Sequence, residues 1–405
     1  MASTYVNDLR LNEMATGDQS GRSMFLKYTG TLDSACTITI APNTVSKLWF
    51  IENATSGSQS IIIKQGSGAT ITIATGQTKA IYSDGAGSGG KMVDAFATLS
   101  VVDLSVTGGY SSATSGTSNL RLGVNAGNSI ASGGNYNVAV GDEAGTAITT
   151  GDQNTFVGYA AGTAINTGGD NTIVGGLAAD ALTTGFNNVA MGRNALSTED
   201  TGRYNVAIGM NTLRDQNADV DNYNTAVGYA AGGDITTGVR NTLIGGLAGD
   251  ALTDGNDNIA IGYQALTADT QGDNSVAIGN NALFSQNGTN GNVYNVAIGK
   301  NAGFAVTTGI RNIIMGGLAG DALTDADFNI GIGYQSLTAD TKGSKSTAVG
   351  YRTLANQNFS TSTDSHNTAI GNDAGLSVTT GVENTIIGGA AGDALTDADF
   401  NVAVG

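Results

Sequence analysis

The chain has 405 residues, of which 61 are Gly, with only one Pro, one Cys, one Trp and one His. These counts exclude collagen-like and Pro-rich sequences, disulfide scaffolds and Cys-rich zinc modules, and they leave a single His for metal or acid–base chemistry. A net charge of −17 at pH 7 makes nucleic acid and anionic membranes poor partners. Hydrophobic residues make up 40% of the chain, which is sufficient for a folded core.

The first segment, residues 1–20, begins MASTYVNDLR and has no apolar stretch of signal-peptide length. No later stretch approaches the roughly 20 apolar residues of a membrane helix. We therefore expect synthesis in the cytoplasm, no export signal and no membrane insertion.

Residues 21–106 contain short β-rich runs separated by turn residues, such as CTITI, KLWFIEN, SIIIKQ and TITIATG. This pattern predicts a small antiparallel β-sandwich or barrel. The Gly- and Ser-rich stretch at 107–118 predicts a flexible linker.

Residues 119–405 are a tandem repeat of the form Asn, β-branched, small, aliphatic, Gly, as in NVAVG and NTIVG. A repeat of 17 residues is too short for two packed helices and suits one coil of a parallel β-roll or β-solenoid, with two short strands and two turns. Most repeats have this length, and three longer steps precede Gly228, Gly299 and Gly371. The repeat Gly lies at 123, 141, 158, 175, 192, 209, 228, 245, 262, 279, 299, 316, 333, 350, 371, 388 and 405.

The longer steps divide the repeats into cassettes of four coils. From Gly158, successive cassettes span 70, 71 and 72 residues to Gly228, Gly299 and Gly371. The first coil carries a small pair as in YAAG, the second GGLAGDALTD or a relative, and the last two a Leu four residues after Gly. Because a terminal repeat normally carries an atypical cap, we expect the roll to continue beyond residue 405.

The alternation within each five-residue core predicts which side chains face inward. The two larger aliphatic or β-branched residues are expected to share one buried face. The residue between them, most often Ala, is expected to face a close neighbour. Where it is large, as at Ile173, Leu243, Ile314 and Ile386, the residue after the repeat Gly is Gly176, Gly246, Gly317 or Gly389, so we expect these to compensate in volume.

The Asn that opens each core predicts a structural ladder of stacked amides, because Asn bonds its own turn and tolerates left-handed conformations. The repeat Gly is expected to allow a backbone conformation or close approach that a Cβ would prevent. Representative ladder positions are Asn137, Asn154, Asn171, Asn205, Gly141, Gly158, Gly175 and Gly209.

The strings NVAIGMNTL, NIAIGYQAL, SVAIGNNAL and NVAIGKNAG resemble the head repeats of YadA-like trimeric adhesins. The resemblance covers residues 119–405 and implies a left-handed parallel β-roll built from three identical chains. The familiar repeat is shorter than 17 residues, so the turns here must be longer. The Ala column would let three rolls approach along an axis.

The N-terminal runs VNDLRLNEMATGDQSG and YTGTLDSACTITI resemble N-terminal modules of phage tail-fibre and virion structural proteins. The resemblance implies a homotrimeric virion fibre, assembled in the host cytoplasm, that contributes to host attachment. Segment 1–20 would dock on other tail or capsid proteins. An exported bacterial adhesin head and an inert spacer or decoration fibre are the alternatives.

Three extended turns, one at the end of each cassette, are the candidate receptor-facing loops, because insertions on a rigid scaffold often form binding surfaces. Their polar and aromatic composition suits host polysaccharide or protein, although solvated insertions without a ligand are the alternative. The candidate residues are Arg214, Asp219, Asp221, Tyr223, Phe284, Asn287, Tyr294, Phe359, Asp364 and His366.

Acidic pairs recur in the GDALTD turns, at Asp250 and Asp254, Asp321 and Asp325, and Asp393 and Asp397. Three chains could bring such carboxylates near Ca²⁺, but the dense Asp and Gly spacing of calcium β-roll repeats is absent. No pair stands out as the two carboxylates of a retaining glycosidase. We therefore expect no metal, no cofactor and no enzymatic activity.

Overall fold

The computed structural model describes residues 10–12, 24–96, 115–218, 221–288 and 291–405. Contacts divide the chain into two units, Met1–Gly108 and Gly109–Gly405. Most of segment 1–20 and of the predicted linker lies outside the described residues.

The N-terminal unit contains eight described strands and one short 3₁₀ helix, η1 (Gly87–Gly89). One sheet has the order β1-β2-β4-β7-β8 and the other the order β3-β5-β6. The pairs β2–β4 and β3–β5 are parallel, so the sheets are mixed rather than purely antiparallel as predicted. The strands are β1 (Arg10–Asn12), β2 (Phe25–Thr31), β3 (Cys36–Thr39), β4 (Ser46–Ser56), β5 (Ile61–Lys64), β6 (Ile71–Ile73), β7 (Thr78–Asp84) and β8 (Met92–Asp94).

Alternating strand residues form the core of this unit. In β4 every second residue from Trp49 to Thr55 is buried, which places Trp49 and Ile51 against Ile61 and Ile63 of β5 in one cluster. Cys36 is buried in the same cluster and is a free thiol. The aromatic and thiol groups therefore act here as packing groups.

The second unit is a parallel β-solenoid of 17 turns, which confirms the predicted coil length. Each coil contributes one three-residue strand to this stack rather than the two strands predicted, and it pairs in register with the strands of the coils before and after it. The stacked strands are β9 (Leu120–Leu122), β10 (Val138–Val140), β11 (Thr155–Val157), β12 (Thr172–Val174), β13 (Val189–Met191), β14 (Val206–Ile208), β15 (Thr225–Val227), β16 (Thr242–Ile244), β17 (Ile259–Ile261), β19 (Val276–Ile278), β21 (Val296–Ile298), β22 (Ile313–Met315), β23 (Ile330–Ile332), β25 (Thr347–Val349), β27 (Thr368–Ile370), β28 (Thr385–Ile387) and β29 (Val402–Val404).

Four two-residue strands form two further parallel pairs beside the roll. They are β18 (Gly272–Asp273) with β20 (Gly291–Asn292), and β24 (Gly343–Ser344) with β26 (Thr363–Asp364). In each pair, one strand lies at the end of the third coil of a cassette and the other lies in the extended turn at the end of the fourth coil. No α-helix occurs in the described residues, and so none of them forms a helix that could cross a bilayer.

The interior of a coil is narrow, and its side chains compensate in volume. We number each coil from its Asn or Ser as position 1, so the strand is positions 2–4 and the repeat Gly position 5. Second coils combine a large residue at position 3 with a small one at position 9, as Leu243 with Gly249. Third and fourth coils reverse this, as Ala260 with Leu266.

The volume partner of the large residue is therefore not the Gly predicted from the sequence. A Cβ on Gly249 would lie 2.9 Å from Leu243 Cδ2, whereas one on Gly246 would meet only the Tyr263 ring, at 3.6 Å. Position 6 points away from the interior. The predicted pairing with Gly176, Gly246, Gly317 and Gly389 was wrong, although compensation itself occurs.

Candidate functional site

The strand residues face the opposite way from the prediction. In β13 the middle residue Ala190 is fully buried, whereas Val189 is half-buried and Met191 is exposed. The middle residue is also the buried one in the other strands between β9 and β29, the first and last strands of the roll, whose own middle residues are half-buried. The Ala column thus lines the interior of its own chain, and it cannot be the surface along which separate chains approach.

The larger aliphatic residues at positions 2 and 4 consequently form an outward, apolar strip, which we call the outer strand face. At position 4 the exposed fraction is 37% for Ile208, 39% for Ile244 and 41% for Ile370. Exposed tyrosines border the strip on both sides, at position 6 and at the last residue of a coil. They are Tyr136, Tyr159, Tyr204, Tyr223, Tyr229, Tyr263, Tyr294, Tyr334 and Tyr351.

The three extended turns lie at one place in the coil, between position 12 of a fourth coil and the Asn of the next cassette. Their last residues, Tyr223, Tyr294 and His366, are equivalent, and all three have a left-handed backbone and an exposed side chain. The structure therefore places one representative of each turn at the same edge of the roll.

Near the first turn, charged and aromatic groups contact each other. Asp221 pairs with Arg203 at 3.4 Å, and the Tyr223 ring stacks on Tyr204 with centroids 4.8 Å apart. Arg214 donates hydrogen bonds to Asp215 and to Asp234 of the next coil, which holds its pKa above the usual value. Asp219 lies outside the described residues.

In the later turns the candidate residues differ in exposure. Phe284 is half-buried and stacks on Phe304 at 4.9 Å, and Asn287 is exposed. Asp364 is exposed and pairs with Lys345. Phe359 is buried, with 5% of its surface exposed, so its prediction as a contact residue was wrong. Its ring fills the space beside Gly343, which has no side chain to occupy it.

The predicted Asn ladder is present. Asn154 Oδ1 accepts the amide N–H of Asn171 at 3.1 Å, and Asn154 Nδ2 donates to Gly168 O at 2.9 Å. The side chain is fully buried, so these bonds join one coil to the next without competition from water. Asn137 and Asn171 repeat the pattern. At Asn205 the buried Nδ2 finds no partner among the described residues.

The repeat Gly also behaves as predicted. Gly175 has φ +138°, and a Cβ there would lie 2.5 Å from the carbonyl oxygen of Gly192 in the next coil. An L-residue would thus be strained and would collide with backbone. Gly141, Gly158 and Gly209 have the same conformation.

One buried motif was missed from the sequence. Position 12 is Ile, Leu or Val in the first and second coils, but it is an acid in the third coil and Gln in the fourth. Burial raises the pKa of the Asp269 and Asp340 carboxyls above the usual range. Aligning the coils at period 17 would have revealed the interruption. The pairs are Glu199 with Gln216, Asp269 with Gln286, and Asp340 with Gln357.

Two acids of the GDALTD turns, Asp250 and Asp321, accept hydrogen bonds from the coil that follows. Thr267 donates to Asp250 and Thr338 to Asp321, and partial burial raises the pKa of both carboxyls. The described residues contain no group of three His, Cys, Asp or Glu side chains suited to a metal ion.

Comparison of the chain with protein-family models, curated proteins and solved structures finds no match. The repeat geometry, the outer strand face and the extended turns are therefore the basis for assigning a function.

Proposed function

We propose that this chain is the subunit of a homotrimeric phage virion fibre, which projects from the particle and contributes to attachment at the host surface. The proposal gives the chain no catalytic role. The observation that carries it is the outer strand face, which exposes aliphatic side chains in coil after coil.

An apolar strip of this extent favours association. With strands about 4.8 Å apart, 17 stacked coils extend for about 80 Å. Monomeric soluble proteins rarely expose contiguous apolar patches beyond a few hundred Å², and a standard interface buries about 800 Å² on each partner. An aliphatic centre bordered by tyrosines also has the composition of an interface core and its surroundings.

The number of chains and the virion setting are supported by the resemblances of sequence. The repeat resembles trimeric adhesin heads, and the N-terminal runs resemble phage fibre modules. The alternatives are an exported adhesin head and an inert spacer. Docking on other virion proteins would be the task of the N-terminal module.

Association is tested by light scattering on the purified full chain. We expect three times the mass of one chain, and monomers when Ile208→Glu and Ile244→Glu are combined, because the trimer would bury six carboxylates. The control Thr237→Glu places a charge on an exposed turn and should leave the trimer intact. A monomeric wild-type chain would contradict the proposal.

The virion setting is tested separately. Mass spectrometry and immunogold labelling of purified particles should detect the chain on projecting fibres. Recovery of the chain only from the cell envelope would instead favour an adhesin. Shortening each extended turn to the 17-residue step should weaken binding to a panel of bacterial surface polysaccharides. Unchanged binding would remove the turns as contact surface and favour a spacer.

A further inference from the structure

Each extended turn begins directly after the Gln of a buried acid–glutamine pair, in the fourth coil of its cassette. The first and second coils, which have an aliphatic residue at position 12, have no extended turn. In the third cassette Asp340 and Gln357 are fully buried at a position occupied by Val306 and Leu323 in the two coils before them. An aliphatic side chain can therefore occupy this position in a coil without a long turn.

The carboxylate of the pair reaches the start of the turn. Asp340 Oδ2 accepts a hydrogen bond from Gln357 Nε2 at 2.6 Å, and Oδ1 accepts from the N–H groups of Gly343 at 2.9 Å and Phe359 at 3.4 Å. Phe359 is the second residue after Gln357. The equivalent N–H groups of Gly288 and Ala218 donate to Asp269 at 3.1 Å and to Glu199 at 3.4 Å.

The glutamine of the pair reaches the end of the turn. Gln357 Oε1 accepts a hydrogen bond from Asn367 Nδ2 at 2.8 Å, and Asn367 opens the next cassette. Asn295 bonds Gln286 in the same way at 2.9 Å, and Asn224 bonds Gln216 at 3.0 Å. Each pair thus holds both ends of one turn.

We propose that each acid–glutamine pair is a latch that holds the two ends of its cassette's extended turn in place, rather than a stabilising element of the roll interior. A carboxylate suits this task because it accepts several N–H donors and donates none. For the roll alone it is a costly choice, since burying polar and ionised groups is less favourable than filling the space with well-packed aliphatic side chains. The latch is independent of what the turn binds.

The test replaces one latch by aliphatic residues, as Asp340→Leu combined with Gln357→Leu in the full chain. Hydrogen–deuterium exchange is then followed by mass spectrometry at residues 358–366 and at the equivalent turn of the second cassette, which serves as an internal control. We expect at least tenfold faster exchange in 358–366, no change in the second turn, and a denaturation midpoint no lower than that of the wild type.

The reciprocal variant, Asp269→Leu with Gln286→Leu, should loosen only the second turn. If the double variant does not fold, Asp340→Asn replaces it, because this substitution keeps the shape of the side chain and removes one acceptor oxygen. We expect faster exchange of the Phe359 amide in this variant. Unchanged exchange at 358–366 would overturn the proposal. So would a fall in protection of all coils together, because the pair would then serve the roll interior.

Discussion

The same substitution, Asn to Ser, is expected to have different effects at two neighbouring rungs of the Asn ladder. At Asn188 the side chain is fully used: Nδ2 donates to Gly202 O at 2.9 Å, and Oδ1 accepts the N–H of Asn205 at 3.0 Å. Serine is too short to replace both bonds. A buried carbonyl and a buried N–H would then lose their partners, at about 1–3 kcal/mol each, so Asn188→Ser should destabilise the roll by roughly 2–6 kcal/mol.

At Asn205 the side chain contributes much less. Its Nδ2 has no partner among the described residues, and its Oδ1 accepts only a long bond of 3.4 Å from Asn224 N. The next two cassettes have serine here, where Ser275 Oγ accepts from Gln286 Nε2 at 3.0 Å. Asn205→Ser removes a buried donor that is without a partner in the described part of the chain, and it offers Gln216 the same acceptor. We expect a change between none and a stabilisation of about 1 kcal/mol.

Guanidinium unfolding of both variants, followed by far-UV circular dichroism, measures the difference. Because repeat proteins can open locally, hydrogen exchange of strands β13 and β14 should accompany it. We expect the variants to differ by at least about 2 kcal/mol. Equal losses at the two sites would refute the view that the Asn ladder stabilises the roll through paired hydrogen bonds.

Two further predictions concern packing and charge. Gly249→Ala adds a Cβ 2.9 Å from an inward Leu at φ +54°, so denaturation should show a loss of about 1–3 kcal/mol, whereas Gly246→Ala, whose Cβ would meet only the Tyr263 ring at 3.6 Å, should leave stability unchanged. The pKa of Asp340 is raised by burial, so its ionisation costs stability as the pH rises through that pKa, and the stability of wild type relative to Asp340→Asn should improve as the pH falls from 7 towards 4. Asp257, whose pKa is lowered by its hydrogen bond with Arg240, should show the opposite trend: the small advantage of wild type over Asp257→Asn is present at neutral pH and disappears as the pH falls below about 4. If the two differences in stability, between wild type and Asp340→Asn and between wild type and Asp257→Asn, changed with pH in the same direction, these predictions would be contradicted.

The repeat length, the strand between each Asn and the repeat Gly, and the Asn and Gly ladders could be predicted because each depends on local chemistry repeated at a fixed period. The inward face could not. Alternation separates Ala190 from Val189 and Met191 but does not say which set is inside. The prediction that the larger residues face inward was based on their size. A coil whose interior must also hold the residue at position 9 leaves room for Ala, and the larger residues face outward.

The extended turns were recognised from their length, but their support was not. Phe359 reads as an exposed aromatic in a polar loop, and only the fold shows it beside Gly343. The acid–glutamine pairs escaped notice because charged residues are usually exposed. In the N-terminal unit, strand runs alone do not distinguish parallel from antiparallel pairing, since the order of strands in a sheet is not local information.

The cassette boundaries explain how four-coil units can follow one another without adaptation. At the first boundary a Cβ on Gly232 would lie 3.0 Å from Leu213 of the preceding cassette and 2.7 Å from Leu243 of its own. At the third, Gly375 lies in the same way between Leu354 at 3.0 Å and Ile386 at 2.9 Å. Each cassette thus ends in a Leu that fills the space left by the Gly beginning the next. Because this junction is the same each time, a duplicated cassette meets its neighbours with complementary surfaces, and differences in cassette length are confined to the extended turns.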